Sequence, residues 1–99
     1  MNNENYETLI NSLKEAMDMK LSITILNHNP ISGVRVAIGP IIHITSAKWG
    51  HTICLSKKDD ENTFFLQDDK NVKIIKKGNK NFFYLYEKFN HTSSITIII

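Results

Sequence analysis

The chain has few of the residues on which cross-links, tight loops and bidentate phosphate contacts depend. Its 99 residues include one cysteine, two prolines, four glycines and a single arginine, Arg35. The lone Cys54 cannot form an internal disulfide, so we expect a reducing compartment. Four glycines supply no glycine-rich loop that would cradle nucleotide phosphates, and we expect no cofactor.

Long apolar runs are also missing. No stretch approaches the ~20 apolar residues of a membrane-spanning helix, and the first residues are acids and asparagines rather than a basic signal-peptide region. We therefore expect a cytoplasmic protein without a membrane partner. The length suits one domain over residues 1–99. The net charge of +2 is spread unevenly, because residues 1–19 are mainly acidic and residues 70–88 mainly basic.

The hydrophobic period changes near Leu21. Upstream of this point the apolar residues repeat at helical spacing, which predicts an amphipathic helix over about residues 4–19. Asn3 or Asn5 is the expected N-cap, because an asparagine side chain accepts hydrogen bonds from free amides of the first turn. The apolar stripe that should face the core consists of Tyr6, Leu9, Ile10, Leu13, Ala16 and Met17.

Downstream, apolar residues mostly alternate with a period of two, in short runs that indicate strands. Residues 33–45 form either one strongly bent strand or two strands, because Gly39-Pro40 interrupts the alternation. The expected fold is α+β: an amphipathic helix, a small, partly open antiparallel β-barrel over about 21–76, and appended strands over about 81–99. The expected connections are turns at 27–30 and 47–50, a charged hairpin tip at 57–62, and turns at 68–70 and 77–80.

Three apolar segments stand out between Leu21 and Ile75: Gly39-Pro40-Ile41 through Ile44, Ile53-Cys54-Leu55, and Val72 through Ile75. With these segments, the stretch is similar to the Sm-like barrel, in which a helix precedes a strand, a long bent strand and three short strands. Within that group it looks most like the small bacterial YolD-like family. Ligand-binding WYL domains show a similar alternation, with Arg35 and Pro40 within one residue of an R-x-x-x-P segment. The resemblance implies an Sm-like or SH3-like barrel that binds nucleic acids or their enzymes and is not a catalyst.

The residues do not form a recognisable catalytic or metal-binding constellation. Cys54 lies in an apolar strand, where cysteine usually behaves as a small hydrophobe, and no G-x-S-x-G motif is present. His51 and Cys54 are three residues apart, which on a strand places them on opposite faces rather than around one metal ion. We therefore expect no catalytic residue, no metal ion and no enzymatic activity.

The best functional signal is a basic hairpin over residues 70–88, which continues into an aromatic strand expected over 82–89. Lysines beside aromatic rings suit phosphate attraction combined with base stacking. The single Arg35 argues against sequence-specific reading of bases. The alternative is that the lysines protect an edge strand while alternate aromatics fill the core. The candidate nucleic-acid-binding residues are Lys73, Lys76, Lys77, Lys80, Tyr84 and Tyr86.

The acidic helix is a candidate site for a protein partner. It carries Glu4, Glu7 and Glu15, whose negative charge suits the basic groove of a nucleic-acid enzyme. The alternative is that these carboxylates are the solvated face of a packed helix.

The C-terminal strand is a second candidate for a partner. Ile95 and Ile97 share one face of this strand and Ile98 faces the other way. A strand that is apolar on both faces needs cover on both sides, so we expect a homodimer or a docked partner there, through edge pairing or packing of Ile98. The alternative is that Phe83 and Leu85 cover Ile98 within the monomer.

Together these patterns favour a non-enzymatic binding module. The expected partner is a protein involved in nucleic-acid metabolism or in conflict between a host and a mobile element. The alternative is direct, weakly sequence-specific nucleic-acid binding through the basic aromatic hairpin 70–88.

Overall fold

The computed structural model describes residues 3–56, 62–87 and 93–99. Within those ranges the chain forms one α-helix and one seven-stranded antiparallel sheet, which confirms an α+β domain. Of the hairpin tip expected at 57–62 only Asn62 falls within the described residues, and the end of the strand expected over 82–89 falls outside them. The elements are α1 (Glu4–Asp18), β1 (Ser22–Asn29), β2 (Gly33–Ala47), β3 (Gly50–Leu55), β4 (Thr63–Gln67), β5 (Asn71–Lys77), β6 (Lys80–Tyr86) and β7 (Ser94–Ile98).

The helix forms where the sequence predicts it. Its N-cap is Asn3, whose side-chain oxygen accepts a hydrogen bond from the Tyr6 amide at 3.2 Å. The predicted stripe is the buried side of the helix, with Met17 partly buried at its end. The buried helix residues are Tyr6, Leu9, Ile10, Leu13 and Ala16.

Residues 33–47 form one bent strand rather than two. Pro40 has no amide hydrogen for the ladder, and Gly39 adopts a φ of +153°, in the region that favours glycine. Ser56 packs against this bend, because its amide donates to the Pro40 carbonyl at 2.8 Å and its hydroxyl donates to the Ile38 carbonyl at 3.1 Å. A Cβ at Gly39 would overlap the Ser56 hydroxyl, so the glycine allows the two segments to approach.

The turn expected at residues 27–30 is displaced. β1 continues through Asn29 and pairs with β2 down to Gly33, so the turn lies at residues 30–32. The Asn29 side chain accepts hydrogen bonds from the amides of Ile31 and Ser32, as asparagine commonly does in turns.

The strand order across the sheet is β4-β3-β2-β1-β7-β6-β5. The two edge strands, β4 and β5, are consecutive in the chain and are joined by residues 68–70 alone. Because four residue steps span at most about 14 Å, the Gln67 and Asn71 ends of the two edges must lie close together. The sheet therefore curls around α1.

The first turn of α1 ties these two edges together through side-chain donors. The Asn3 amide binds the carbonyls of Asp68 and Lys70 (3.1 and 2.9 Å), the Asn5 amide that of Val72 (2.8 Å), and the Tyr6 hydroxyl that of Leu66 (3.0 Å). The core lies between the helix and the side of the sheet that faces it, which we call the inner face. Inward residues that are fully buried include Ile23, Ile25, Phe64, Leu66, Phe83 and Ile97.

Candidate binding surface on the outer sheet face

Five neighbouring strand segments present a continuous face away from α1, which we call the outer face. It is built from β5, β6, β7, β1 and the first half of β2, and their cross-strand register sets which side chains are neighbours. On each strand, side chains of residues i and i+2 lie on the same face. Its three cross-strand rows are Ile38-Thr24-Ile98-Phe82-Ile75, Val36-Leu26-Thr96-Tyr84-Lys73 and Val34-His28-Ser94-Tyr86-Asn71.

The β2 side of the outer face is aliphatic and open. Val34, Val36 and Ile38 are 61%, 51% and 65% exposed, whereas the inward Ala37 is buried. Leu26 on β1 adjoins Val36, and Ile98 on β7 adjoins Thr24. We call Val34, Val36, Ile38, Leu26 and Ile98 the aliphatic strip.

The C-terminal strand is not an edge. β7 lies between β1 and β6, and its backbone is paired with both strands. The prediction that a partner pairs with this strand at a sheet edge is therefore wrong. Ile97 is fully buried, so it presents no surface to a partner, and Ile95 is partly buried against the core. Ile98 faces outward and is partly exposed, as its opposite parity predicts.

Phe83 and Leu85 do not cover Ile98. They pair with Ile97 and Ile95 and are buried on the inner face, on the other side of the sheet from Ile98. The neighbour of Ile98 on β6 is Phe82. The outer side of β7 is therefore open in the monomer.

The basic hairpin divides between the two faces. Lys73 and Lys77 of β5 face outward with Tyr84 and Tyr86 of β6, whereas Lys76 shares the parity of the buried Val72 and extends past the end of the core. Lys80 pairs with Lys77 across the turn at residues 78–79. The structure thus brings five of the six predicted residues to one face and separates Lys76 from them. Phe82 is not among the six predicted residues but shares that face, and its even spacing with the two tyrosines is the signal that identifies it.

The single arginine has a structural role on the other side of the sheet. The Arg35 guanidinium lies 4.4 Å from the centre of the Phe64 ring and donates a hydrogen bond to the Thr63 carbonyl at 3.1 Å. These contacts join β2 to β4 and keep the guanidinium away from the outer face.

The acidic helix residues are all exposed. Glu4 and Glu7 lie at the first turn of α1, beside a cleft of about 970 Å³, and Glu15 lies further along the helix, away from that cleft. Asp68 and Asp69 line the same cleft, whereas Lys70 beside them is paired with Glu87 at 2.6 Å. The cleft is therefore a polar recess with a negative charge.

A tyrosine–histidine pair lies in the wall of this cleft. The Tyr6 hydroxyl is 2.8 Å from His51 Nδ1 and 3.0 Å from the Leu66 carbonyl oxygen. A carbonyl can only accept, so both bonds form together when Tyr6 donates to Leu66 and His51 Nδ1–H donates to Tyr6. Burial, aided by Asp68, raises the pKa of the Tyr6 phenol. Burial and the charge of Lys14 lower the pKa of His51, and Asp68 opposes them in part.

His51 should make folding sensitive to mild acid. Its folded-state pKa lies below its unfolded value of about 6.5, so the unfolded chain takes up the proton first. The stabilisation is complete above about pH 6.5 and is lost as the pH falls through the lowered folded-state pKa. We expect the melting temperature to fall as the pH is lowered below about 6.5, and to fall less in His51→Gln. Calorimetry at matched salt checks this, with the exposed His28→Gln as the control; equal pH dependence of all three proteins would contradict it.

Two further properties concern ions and membranes. Across residues 3–56, 62–87 and 93–99, no three His, Cys, Asp or Glu side chains are grouped so that they could hold a metal ion. In the same part of the chain, no helix has both the length and the apolar character needed to cross a membrane.

Comparison with known proteins identified no relative of this chain. Searches of protein-family models, of curated proteins and of solved structures found no significant match to the chain. The similarity to Sm-like barrels and to the YolD-like family consequently stays a prediction from the residues that carry it, and the outer face must be interpreted from its own geometry.

Proposed function

We propose that this chain is a non-enzymatic binding module, and that its aliphatic strip docks on another protein. The observation that carries the proposal is the reversed pattern of β2. Its outward positions hold Val34, Val36 and Ile38, whereas its inward positions before Pro40 hold Arg35, Ala37 and Gly39. A sheet with one face in water normally has the opposite pattern, with polar residues outward. Exposed apolar patches of this kind mark protein interfaces.

The chemistry of the strip indicates the kind of surface that would cover it. From Ser22 to Asn29 and from Gly33 to Pro40, the outward positions carry no Asp, Glu, Lys or Arg. The partner surface is therefore apolar and uncharged where it meets the strip. Valine and isoleucine have few side-chain rotamers, so little conformational entropy is lost when they are buried. A second copy of the chain offers such a surface, and it is the partner to test first.

We also propose that the curled sheet is a barrel of the type expected from the sequence. An Sm-like or SH3-like barrel is supported by the short connection between the edge strands β4 and β5, and by the hydrogen bonds that Tyr6 donates to β4 and Asn5 to β5. Barrels of this kind present their outer faces and edges to ligands, which agrees with a binding role. The setting expected from the sequence is nucleic-acid metabolism or conflict between a host and a mobile element. There the exposed Glu4, Glu7 and Glu15 would provide a second contact, with a basic partner.

The test of the strip begins with self-association. We expect the wild-type protein to dimerise at high micromolar concentration, and Val36→Lys with Ile38→Lys to be monomeric, because a buried lysine pair cannot be solvated at such an interface. Light scattering coupled to size exclusion measures the mass. The matched control is Thr45→Lys with Ser46→Lys, which places the same charges on exposed positions at the other end of β2.

A monomeric wild type would direct the test to a different protein. A photo-crosslinking amino acid at Val36 should then give a discrete product in cells of the native source, and the product should disappear when Ile38→Lys is added. The same group at Thr45 is the control. The absence of both self-association and a strip-dependent crosslink would refute the proposed function.

A further inference from the structure

We propose that the β5–β6 side of the outer face binds single-stranded nucleic acid, with bases stacking on β6 and phosphates contacting lysines. This inference does not rest on the proposed function, because it concerns different strands and different chemistry. The cross-strand register places Lys73, Lys77 and Lys80 on the same face as the rings of β6.

The stacking element is an aromatic row on β6. Phe82, Tyr84 and Tyr86 occupy three successive outward positions, and each remains partly exposed. Such positions are about 6.8 Å apart along a strand. The Tyr84 and Tyr86 rings stack on one another with centroids 5.2 Å apart and planes inclined by 26°. Partly exposed aromatic rings on an open sheet face form a platform on which unpaired bases stack regardless of sequence.

The phosphate-binding element is a lysine border formed by Lys73, Lys77 and Lys80. Lys73 lies directly opposite Tyr84 on the neighbouring strand, so the two side chains leave the sheet on the same face. Lys77 lies directly opposite Lys80, an arrangement in which like charges repel and weaken the sheet. The outward positions of β5, β6 and β7 in the described residues include no aspartate or glutamate to relieve that repulsion. A polyanion bound along the border would relieve it.

The geometry favours a single strand over a duplex. Paired bases are stacked inside a duplex, so their faces are closed to the aromatic row, whereas a single strand can place its bases on the rings. The arginine that would read base edges is engaged with Phe64, away from this face. The expected binding is therefore salt-dependent and weakly selective for sequence.

The experiment measures fluorescence anisotropy of a labelled single-stranded oligonucleotide of about 20 nucleotides, longer than the roughly 4–16 nucleotides that a small barrel covers. Titrations run from about 50 to about 200 mM salt, with a duplex of equal length in parallel. We expect the single strand to bind more tightly than the duplex. Lys73→Glu/Lys77→Glu/Lys80→Glu should weaken binding by about tenfold or more at low salt, and should reduce the salt slope by about two units.

Two matched controls separate this face from general electrostatics. Lys76→Glu makes the same charge change on the same strand but on the other face, so it should weaken binding much less than Lys73→Glu does. Tyr84→Leu preserves an apolar side chain but removes the ring, and it should cost roughly tenfold in affinity with little change in salt slope. Trp49→Leu removes a 65% exposed ring elsewhere and should have no effect.

Several results would overturn the inference. One is the absence of binding at about 50 mM salt, where phosphate contacts are strongest. Another is an equal affinity for duplex and single strand. The others are an equal loss of affinity in Lys76→Glu and Lys73→Glu, and a larger loss of affinity in Trp49→Leu than in Tyr84→Leu. Melting curves of each variant show whether a loss of binding reflects a loss of folding. Val36→Ser should leave nucleic-acid affinity unchanged, which separates this inference from the proposed protein contact.

Discussion

Gly50→Ala is expected to destabilise the protein by roughly 3–5 kcal/mol, which is a large part of the about 5–15 kcal/mol that stabilises a typical domain. Gly50 begins β3 and pairs with Gln67 of β4. A Cβ at this position would overlap the Leu66 carbonyl oxygen and press on the Gln67 Cα. Both contacts are backbone, so no side-chain rotation relieves them, and β3 and β4 would have to separate.

The control for this prediction is Gly78→Ala. Gly78 has a φ of +64°, but a Cβ there meets nothing within 4 Å, so this variant reports backbone strain without the overlap. We expect it to cost about 1 kcal/mol. Urea unfolding followed by circular dichroism gives both free energies. Similar losses in the two variants would show that the close approach of β3 and β4 is not what Gly50 provides.

Leu13→Ala is expected to lower the free energy of unfolding by roughly 2–5 kcal/mol. Leu13 is fully buried at the centre of the α1 stripe, in one cluster with residues of the inner face. Removing three carbons leaves a cavity that the curled sheet can only partly fill. Since α1 also bridges the two edge strands, the loss should lower the melting temperature of the whole domain in one transition.

The matched control lies on the opposite side of the helix. Asn11 is exposed, and Asn11→Ala keeps the helix while removing nothing from the core, so we expect a change within about 0.5 kcal/mol. Calorimetry of the three proteins checks both values. An unchanged melting temperature for Leu13→Ala would mean that the helix is dispensable to the core, and α1 would then be a candidate for partner binding.

Local patterns predicted the elements because each depends on neighbouring residues. The helical stripe ending near Met17 and the N-cap at Asn3 follow from spacing and from one side-chain acceptor. The turn at residues 78–79 follows from the glycine at Gly78, whose φ is positive. Alternation also predicted correctly that Ile97 and Ile98 face opposite ways.

The sequence predicts only part of the candidate binding surface on the outer face. The sequence shows that lysines lie next to aromatic residues. Whether Lys76 lies on the same face as Lys73 depends on the register of β5, which the sequence does not give. Val34, Val36 and Ile38 alternate in the way that core residues do, so the pattern alone could not show that they face outward. The packing of β2 against α1 decides that Ala37 is buried and Val36 is exposed.

The sequence by itself determined the α+β class, the helix with its buried stripe, and most of the short strands, because propensity, capping and period act over a few residues. Tertiary structure alone decided that β7 lies inside the sheet, that β2 is a single strand bent over Ser56, and which side of each strand meets α1. These features depend on pairings between residues far apart in the chain, such as Asn81 with Ile99 and Asn3 with Lys70. Such pairings are chosen by which arrangement buries the most apolar area with all backbone groups bonded, and no local pattern encodes that choice.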